Sequence, residues 1–206
     1  MIWVIIQARS TSKRLPNKCM ADICGKPMIG RVVDICSAAH PNVCVAVPYG
    51  DGLIGYLREN HILFCEGDED DVLSRYWNCA KSLKASAVVR ITTDCPLLPV
   101  SQIKAAIDSM PFDFYTNLPT VDGYDVEGMS LRALEWANNE ALEPGDREHV
   151  TTFLKKNCGK MVQLGFSVIF HREPWLTEWF PKLSIDTQED LERVRGIYEK
   201  LVSARM

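Results

Sequence analysis

Between Gln7 and Lys18 the chain carries Arg9, Lys13, Arg14 and Lys18, interleaved with Ser10, Thr11 and Ser12. Four cations and three hydroxyls in one short loop have the chemistry of a polyanion cradle. Guanidinium, ammonium and backbone N–H groups can all be aimed at phosphate oxygens. Two carboxylates add a second ingredient. Asp94 stands in Arg90-Ile91-Thr92-Thr93-Asp94-Cys95-Pro96-Leu97, just past an apolar strand that Pro96 prevents from continuing. Asp186 follows Leu183-Ser184-Ile185 and precedes Thr187 at the start of the last helix. A turn aspartate and a helix-start charge are the plain readings of these two residues. If both strands are central in one sheet, however, the carboxylates face each other across a single crevice beyond the strand ends, where open α/β sheets bind ligands. Two carboxylates with phosphate oxygens and water make an octahedral hard-oxygen site suited to Mg²⁺. Together these residues point to nucleotidyl transfer. Cations take the β- and γ-phosphates, Mg²⁺ on Asp94 and Asp186 polarises the α-phosphate, and an acceptor oxygen displaces pyrophosphate in line.

The elements that must position these groups read as alternating strands and helices. Ile2–Ile6 is an unbroken apolar run, the pattern of a buried parallel strand. Further strands are expected at Val43–Val47, Ile62–Cys65, Ala87–Ile91 and Phe112–Tyr115. Helices are expected at Met28–Ala39, Leu53–Asn60, from Asp70 and Asp71 through Leu83, and at Pro99–Met110. The order predicts a mostly parallel sheet covered on both faces. From about Asn117 to Phe180 the pattern loosens into an excursion within one domain spanning residues 1–206. Helices are expected there at Arg132–Leu142 and Arg147–Lys156, and short strands at Met161–Leu164 and Val168–Phe170. Trp175, Trp179 and Phe180 read as core or interface packing. Leu183–Thr187 reads as a final strand leading into a helix through about Val202, with Thr187 as N-cap and Asp190 completing a capping box.

Composition narrows the function. The 206 residues are 47% hydrophobic and 24% charged, enough to build a full core. A net charge of −4 argues against a general nucleic-acid or membrane-surface binder, so any basic patch is local. The 8 cysteines contain no CxxC pair and no zinc framework. The apolar start is short and lacks a cationic flank, which with these scattered thiols predicts a reducing cytoplasm. No GxxxxGK[ST] or GxGxxG is present, and the four histidines include no HExxH. Two other readings remain beside nucleotidyl transfer. A nucleotide-sugar glycosyltransferase would normally show Asp-x-Asp at the strand end, which Asp94-Cys95-Pro96 does not supply. A catalytically silent nucleotide-binding subunit is the other.

The ordered set Ile6-Gln7-Ala8-Arg9, Arg14-Leu15-Pro16 and Lys18 resembles the N-terminal signature of the cytidylyltransferases that make CMP-activated acidic sugars, the CMP-3-deoxy-manno-octulosonate and CMP-sialate synthetases. The shorter spore-coat polysaccharide branch of that family accounts as well for Glu66–Tyr76, Val89–Leu97, Asp122-Gly123 with Asp125-Val126-Glu127, Arg147–Thr151, and Asp186-Thr187 with Glu189-Asp190-Leu191, all in collinear order. The resemblance implies a GT-A-like, Rossmann-type α/β/α sandwich, CTP as donor and a homodimer formed through the excursion. It implies that Arg9, Arg14 and Lys18 contact the triphosphate, with Gln7, Ala8, Ser10, Thr92 and Asp94 around the nucleotide. The segment from Asp68 to Arg75 would lie near cytosine and ribose, although Arg75 could instead form a surface pair with Asp71. Asn117, Glu127, Arg147 and His149 would line the pocket for an acidic sugar or sugar-phosphate acceptor, with His149 a candidate general base. Two positions depart from the family pattern. Asn17 replaces a glycine, which suggests a positive φ that asparagine tolerates. Thr93 replaces another, where its side chain could crowd the nucleotide.

Overall fold

The computed structural model describes residues 1–12, 14–118, 120–171 and 181–203. Lys13 and the aromatic residues Trp175, Trp179 and Phe180 lie outside the described residues. Strand β1 (Ile2–Gln7) lies inside a seven-stranded sheet, with β4 (Val43–Pro48) and β6 (Ala87–Thr92) parallel to it on either side. Strand β5 (Phe64–Gly67) continues the sheet beyond β4. On the other flank β8 (Glu127–Ser130) runs antiparallel to β6, followed by β7 (Phe114–Thr116) and β9 (Val168–Phe170). A small hairpin, β2 (Asp22–Ile23) with β3 (Lys26–Pro27), stands apart.

Alternation along the strands builds two cores. Val4 and Ile6 of β1, with Val45 and Val47 of β4, pack beneath α1 (Met28–Ala39), α2 (Ile54–Glu59) and α4 (Val100–Asp108). Ile5, Cys44 and Ala46 point the other way, beneath α3 (Val72–Ser82) and α5 (Leu131–Glu140). Both faces of the central strands are covered, which is why these strands read as continuous apolar runs. The result is an α/β/α arrangement whose sheet is parallel at its centre and mixed at one flank.

The second half departs from expectation in three places. Met161–Leu164 is not a strand; α8 (Cys158–Gln163) covers it. Met161 is buried while Val162 and Leu164 are exposed, so one helical face docks and the rest meets solvent. The helix expected over 147–156 is two, α6 (Pro144–Glu148) and α7 (Thr152–Lys156), separated by Val150 at φ 49°. A β-branched residue in the left-handed region cannot continue a helix. Leu183–Thr187 forms no strand either. Leu183, Ser184 and Ile185 are buried in succession, wedged against neighbouring segments, before α9 (Gln188–Ser203) begins.

Candidate functional site

The loop after β1 is anchored at both ends. Ser10 N–H donates to both oxygens of Asp51 (3.2 and 2.9 Å), and the Cys19 thiol donates to the Arg9 carbonyl (3.1 Å). Asn17 sits at φ 54°, ψ 32°, the left-handed geometry its substitution for glycine suggested. It precedes a 3-10 turn over Lys18–Met20, and the Met20 N–H returns to the Asn17 carbonyl (2.9 Å). That turn aims Lys18 inward. Its ammonium donates to Asp94 Oδ2 (3.0 Å) and to the Ile185 carbonyl (2.8 Å), and lies 3.5 Å from Asp186 Oδ1. The two carboxylates, 92 positions apart in the chain, therefore share one ammonium.

Asp94 is delivered by the sheet itself. Thr93 continues the β1–β6 pairing by donating its N–H to the Gln7 carbonyl (3.1 Å). Its hydroxyl donates to the same oxygen, so that group is committed to the strand. Burial pushes the Asp94 carboxyl upward, but the Lys18 charge and hydrogen bonds from Thr92 and Lys18 outweigh it, leaving the group below its ordinary value.

Asp186 arrives by another route. Gly123, at φ +98°, lets its loop lie on the backbone of Leu183 and Ser184; a Cβ there would meet Ser184 N at 2.4 Å. Leu183 N–H donates to the Asp122 carbonyl (2.8 Å), and Ile185 N–H donates to the Asp94 carbonyl (2.9 Å). The expected capping box closes the segment. Asp190 N–H donates to Thr187 Oγ1 (3.2 Å), while Asp190 Oδ2 accepts from the N–H groups of Asp186 (3.0 Å) and Thr187 (3.1 Å). Asp186 then faces Arg14 (2.7 Å) and Lys182 (2.8 Å) as well as Lys18. Hydrogen bonding to Asp186 raises the Lys182 ammonium above its ordinary value.

A cavity of about 1340 Å³ opens over this cluster. Of the residues the sequence singled out, Gln7, Ala8, Arg9, Arg14, Lys18, Thr92, Asp94, Arg147 and Asp186 line it. Ser10, Arg75, Asn117, Glu127 and His149 are not among its lining residues. Arg75 is buried rather than paired with Asp71 on the surface, and donates to the Asp68 carbonyl (2.7 Å). Burial lowers its pKa. Asp71 instead caps α3 through Ser74 N–H and takes a two-pronged contact from Arg147 (2.9 and 2.6 Å). Asn117 is buried and committed to Gln102, Tyr124 and Val126. His149 is exposed beside Glu148, which does line the cavity.

Sequence reasoning missed the residue that links the floor to its support. Arg90 donates to Gln7 Oε1 (3.0 Å) and to Glu127 Oε2 (3.0 Å). Glu127 is 1% exposed and also receives Thr151 (2.7 Å) and Lys155 (2.5 Å). A cation inside an otherwise apolar strand is the signal that could have exposed this network. Glu69, in the segment from Asp68 to Arg75, accepts from Thr11 (2.6 Å), tying the acidic segment to the basic loop.

The profile of the family described as Cytidylyltransferase matches residues 3–204. The 3-deoxy-manno-octulosonate cytidylyltransferase of Brucella ovis is 32% identical over 234 residues, covering 93% of this chain and 93% of the relative. Among solved structures, a cytidylyltransferase from Leptospira borgpetersenii superposes with a TM-score of 0.85 at 23% identity, over 98% of this chain and 92% of that one. A CMP:2-keto-3-deoxy-manno-octonic acid synthetase complexed with CTP superposes at 0.73 with 16% identity, over 97% and 99%.

Proposed function

This chain belongs to the cytidylyltransferase family, and we propose that it moves CMP from CTP to an acidic sugar or sugar phosphate, with Mg²⁺, releasing pyrophosphate. The observation that carries this reading is the convergence of Asp94 and Asp186 on the Lys18 ammonium, beside Arg9 and Arg14 in one cavity. The relatives named above supply the donor and the acceptor class: one solved neighbour is complexed with CTP, and a relative is a 3-deoxy-manno-octulosonate cytidylyltransferase.

The donor set suits a hard divalent cation. Two carboxylates, both partly exposed to the cavity, offer oxygen ligands and leave positions for phosphate and water. Asp94 and Asp186 would hold Mg²⁺, which when bound withdraws charge from the α-phosphate. Arg9, Arg14 and Lys18 neutralise the triphosphate, with Arg14 and Lys18 exchanging carboxylate partners for phosphate oxygens. Arg90 donates to Gln7 Oε1, so the Gln7 side-chain amide is held in one orientation at the cavity floor. On the acceptor side, Arg147 lines the cavity with its guanidinium fixed by Asp71 and Asn138, and it would meet an acidic group by exchanging Asp71 for it. Asn117 and Glu127 act behind that wall by holding the loop and Arg90. The excursion exposes Leu142, Val162, Leu164 and Phe170, apolar surface suited to a homodimer contact.

The test is pyrophosphate release from CTP and Mg²⁺ across a panel of sugar acids and sugar phosphates. Release with one acidic acceptor, lost in both Asp94→Asn and Asp186→Asn, supports the reading. CTP binding without release for any acceptor would instead favour a silent nucleotide-binding subunit.

A further inference from the structure

The reaction leaves one cluster of reactive side chains unused. On the sheet face opposite α1 and α4, Cys44 of β4, Cys65 of β5 and Cys79 of α3 bring their sulfurs together. Cys44 Sγ lies 3.6 Å from Cys65 Sγ and 3.8 Å from Cys79 Sγ, and all three sulfurs fall within 4.8 Å of one another. Cysteine often serves as a small apolar filler, and Cys36, buried in the core beneath the other face, is such a case. Three thiols from three separate elements, each presenting sulfur to the same point, require more than filling. Around one ion with metal–sulfur bonds of about 2.3 Å, sulfurs in tetrahedral or trigonal array stand about 3.8–4.0 Å apart. The cluster is already close to that spacing.

We propose that Cys44, Cys65 and Cys79 form a three-sulfur site for one thiophilic d¹⁰ cation of the copper(I) and zinc class. Soft thiolate donors select such ions over Mg²⁺, so this site and the carboxylate pair do not compete for the same metal. Access is from the Cys65 side. Cys44 and Cys79 are buried, whereas Cys65 is half-buried with the Ser82 hydroxyl 3.6 Å from its sulfur. Binding forms metal–sulfur bonds as the thiol protons leave to solvent.

The site would tie together β4, β5 and α3, and the segment joining the last two, Asp68 to Asp71, lines the nucleotide cavity and ends on Asp71, the N-cap of α3 and partner of Arg147. A bound ion would fix α3 on β4 and β5 from beneath, without touching the reacting groups.

The experiment is an anaerobic titration of the full chain with Cd²⁺, a spectroscopically visible d¹⁰ ion, under a phosphine reductant. One equivalent is expected to produce thiolate-to-metal charge-transfer absorption in the ultraviolet. Saturation is expected to raise Tm by roughly 5–10 °C at a hundredfold excess over Kd. Cys65→Ser, at the partly exposed position, should weaken binding at least about tenfold, the lower end of what even changes outside the metal's own ligands cost. Cys44→Ala and Cys79→Ala should do the same, and Cys24→Ser, at an exposed lone thiol, should change nothing. The inference is overturned if the unaltered chain gives no such absorption at one equivalent. It is equally overturned if the absorption and affinity persist in Cys65→Ser, a variant whose folding can be verified by its unchanged circular dichroism.

Discussion

Asp94 and Asp186 meet on one ammonium but reach it by opposite means. Asp94 leaves the end of β6, and its position is set by a ladder running along β1 and continued by Thr93. Asp186 leaves no strand. It is held by a glycine loop, one main-chain bond to Asp94 and a helix cap. The first carboxylate inherits the rigidity of the sheet; the second depends on several separate contacts, each removable by itself. Disturbing the central sheet should therefore cost stability throughout the molecule. Disturbing the arm that carries Asp186 should cost activity before it costs the fold.

The largest effect on stability is expected at the sheet. Glu127→Ala strands the buried Arg90 guanidinium, and loss of one partner from a buried pair typically costs about 3–5 kcal/mol. Chemical denaturation should show this as a lower midpoint. Burial alone would raise the Glu127 carboxyl, but Arg90 and Lys155 hold it below its ordinary 4.5. Its stabilising contribution is thus complete above pH 4.5 and fades as the pH falls through its lower folded-state value. Glu127→Gln should flatten the fall in stability of the unaltered protein below pH 4.5, measured by denaturation across that range.

Next in size are the two carboxylates. Asp94→Asn and Asp186→Asn are each expected to lower pyrophosphate release at least about 100-fold, roughly 2.7 kcal/mol of transition-state stabilisation. Equal losses despite unequal supports would sharpen the comparison; a loss at Asp94 alone would break it. Gly123→Ala should then separate placement from chemistry. Strained backbone alone costs about 1–3 kcal/mol. The variant should lose activity through displacement of Asp186 while circular dichroism still reports a folded sheet. The smallest effect is expected for Thr187→Ala, which removes a helix cap worth about 1 kcal/mol, read from the thermal midpoint.

The difference between the two supports also explains what the chain disclosed in advance. Apolar runs such as Ile2–Ile6 and Val43–Val47 have a local cause, burial on both faces, so the central sheet was legible. The basic loop and Asp94 were legible with it, because strand ends in such sheets are ligand sites. The Thr187–Asp190 cap was legible too, being contained in four residues. Leu183–Ile185 looked like a strand because three buried residues in a row carry no mark of what buries them. Val150 at positive φ is set by tertiary packing, since nothing in its residue type favours a break between α6 and α7. The link from Gln7 through Arg90 to Glu127 joins residues 83 and 37 positions apart, a pairing that exists only once β6 and β8 are neighbours. The resemblance puts Asn117 and Glu127 in the acceptor pocket, whereas the fold buries both outside the cavity's lining, among partners that only the tertiary structure supplies.

The central claim, that the sheet end and the C-terminal arm jointly hold a single divalent ion with the nucleotide, is tested most directly by titrating Mn²⁺ into the chain in the presence of CTP and following free Mn²⁺ by electron paramagnetic resonance. One tightly bound ion per chain is expected in the unaltered protein, weakened to a similar degree by Asp94→Asn and by Asp186→Asn. Undiminished Mn²⁺ binding in Asp186→Asn would contradict the account, because the arm would then hold no part of the ion.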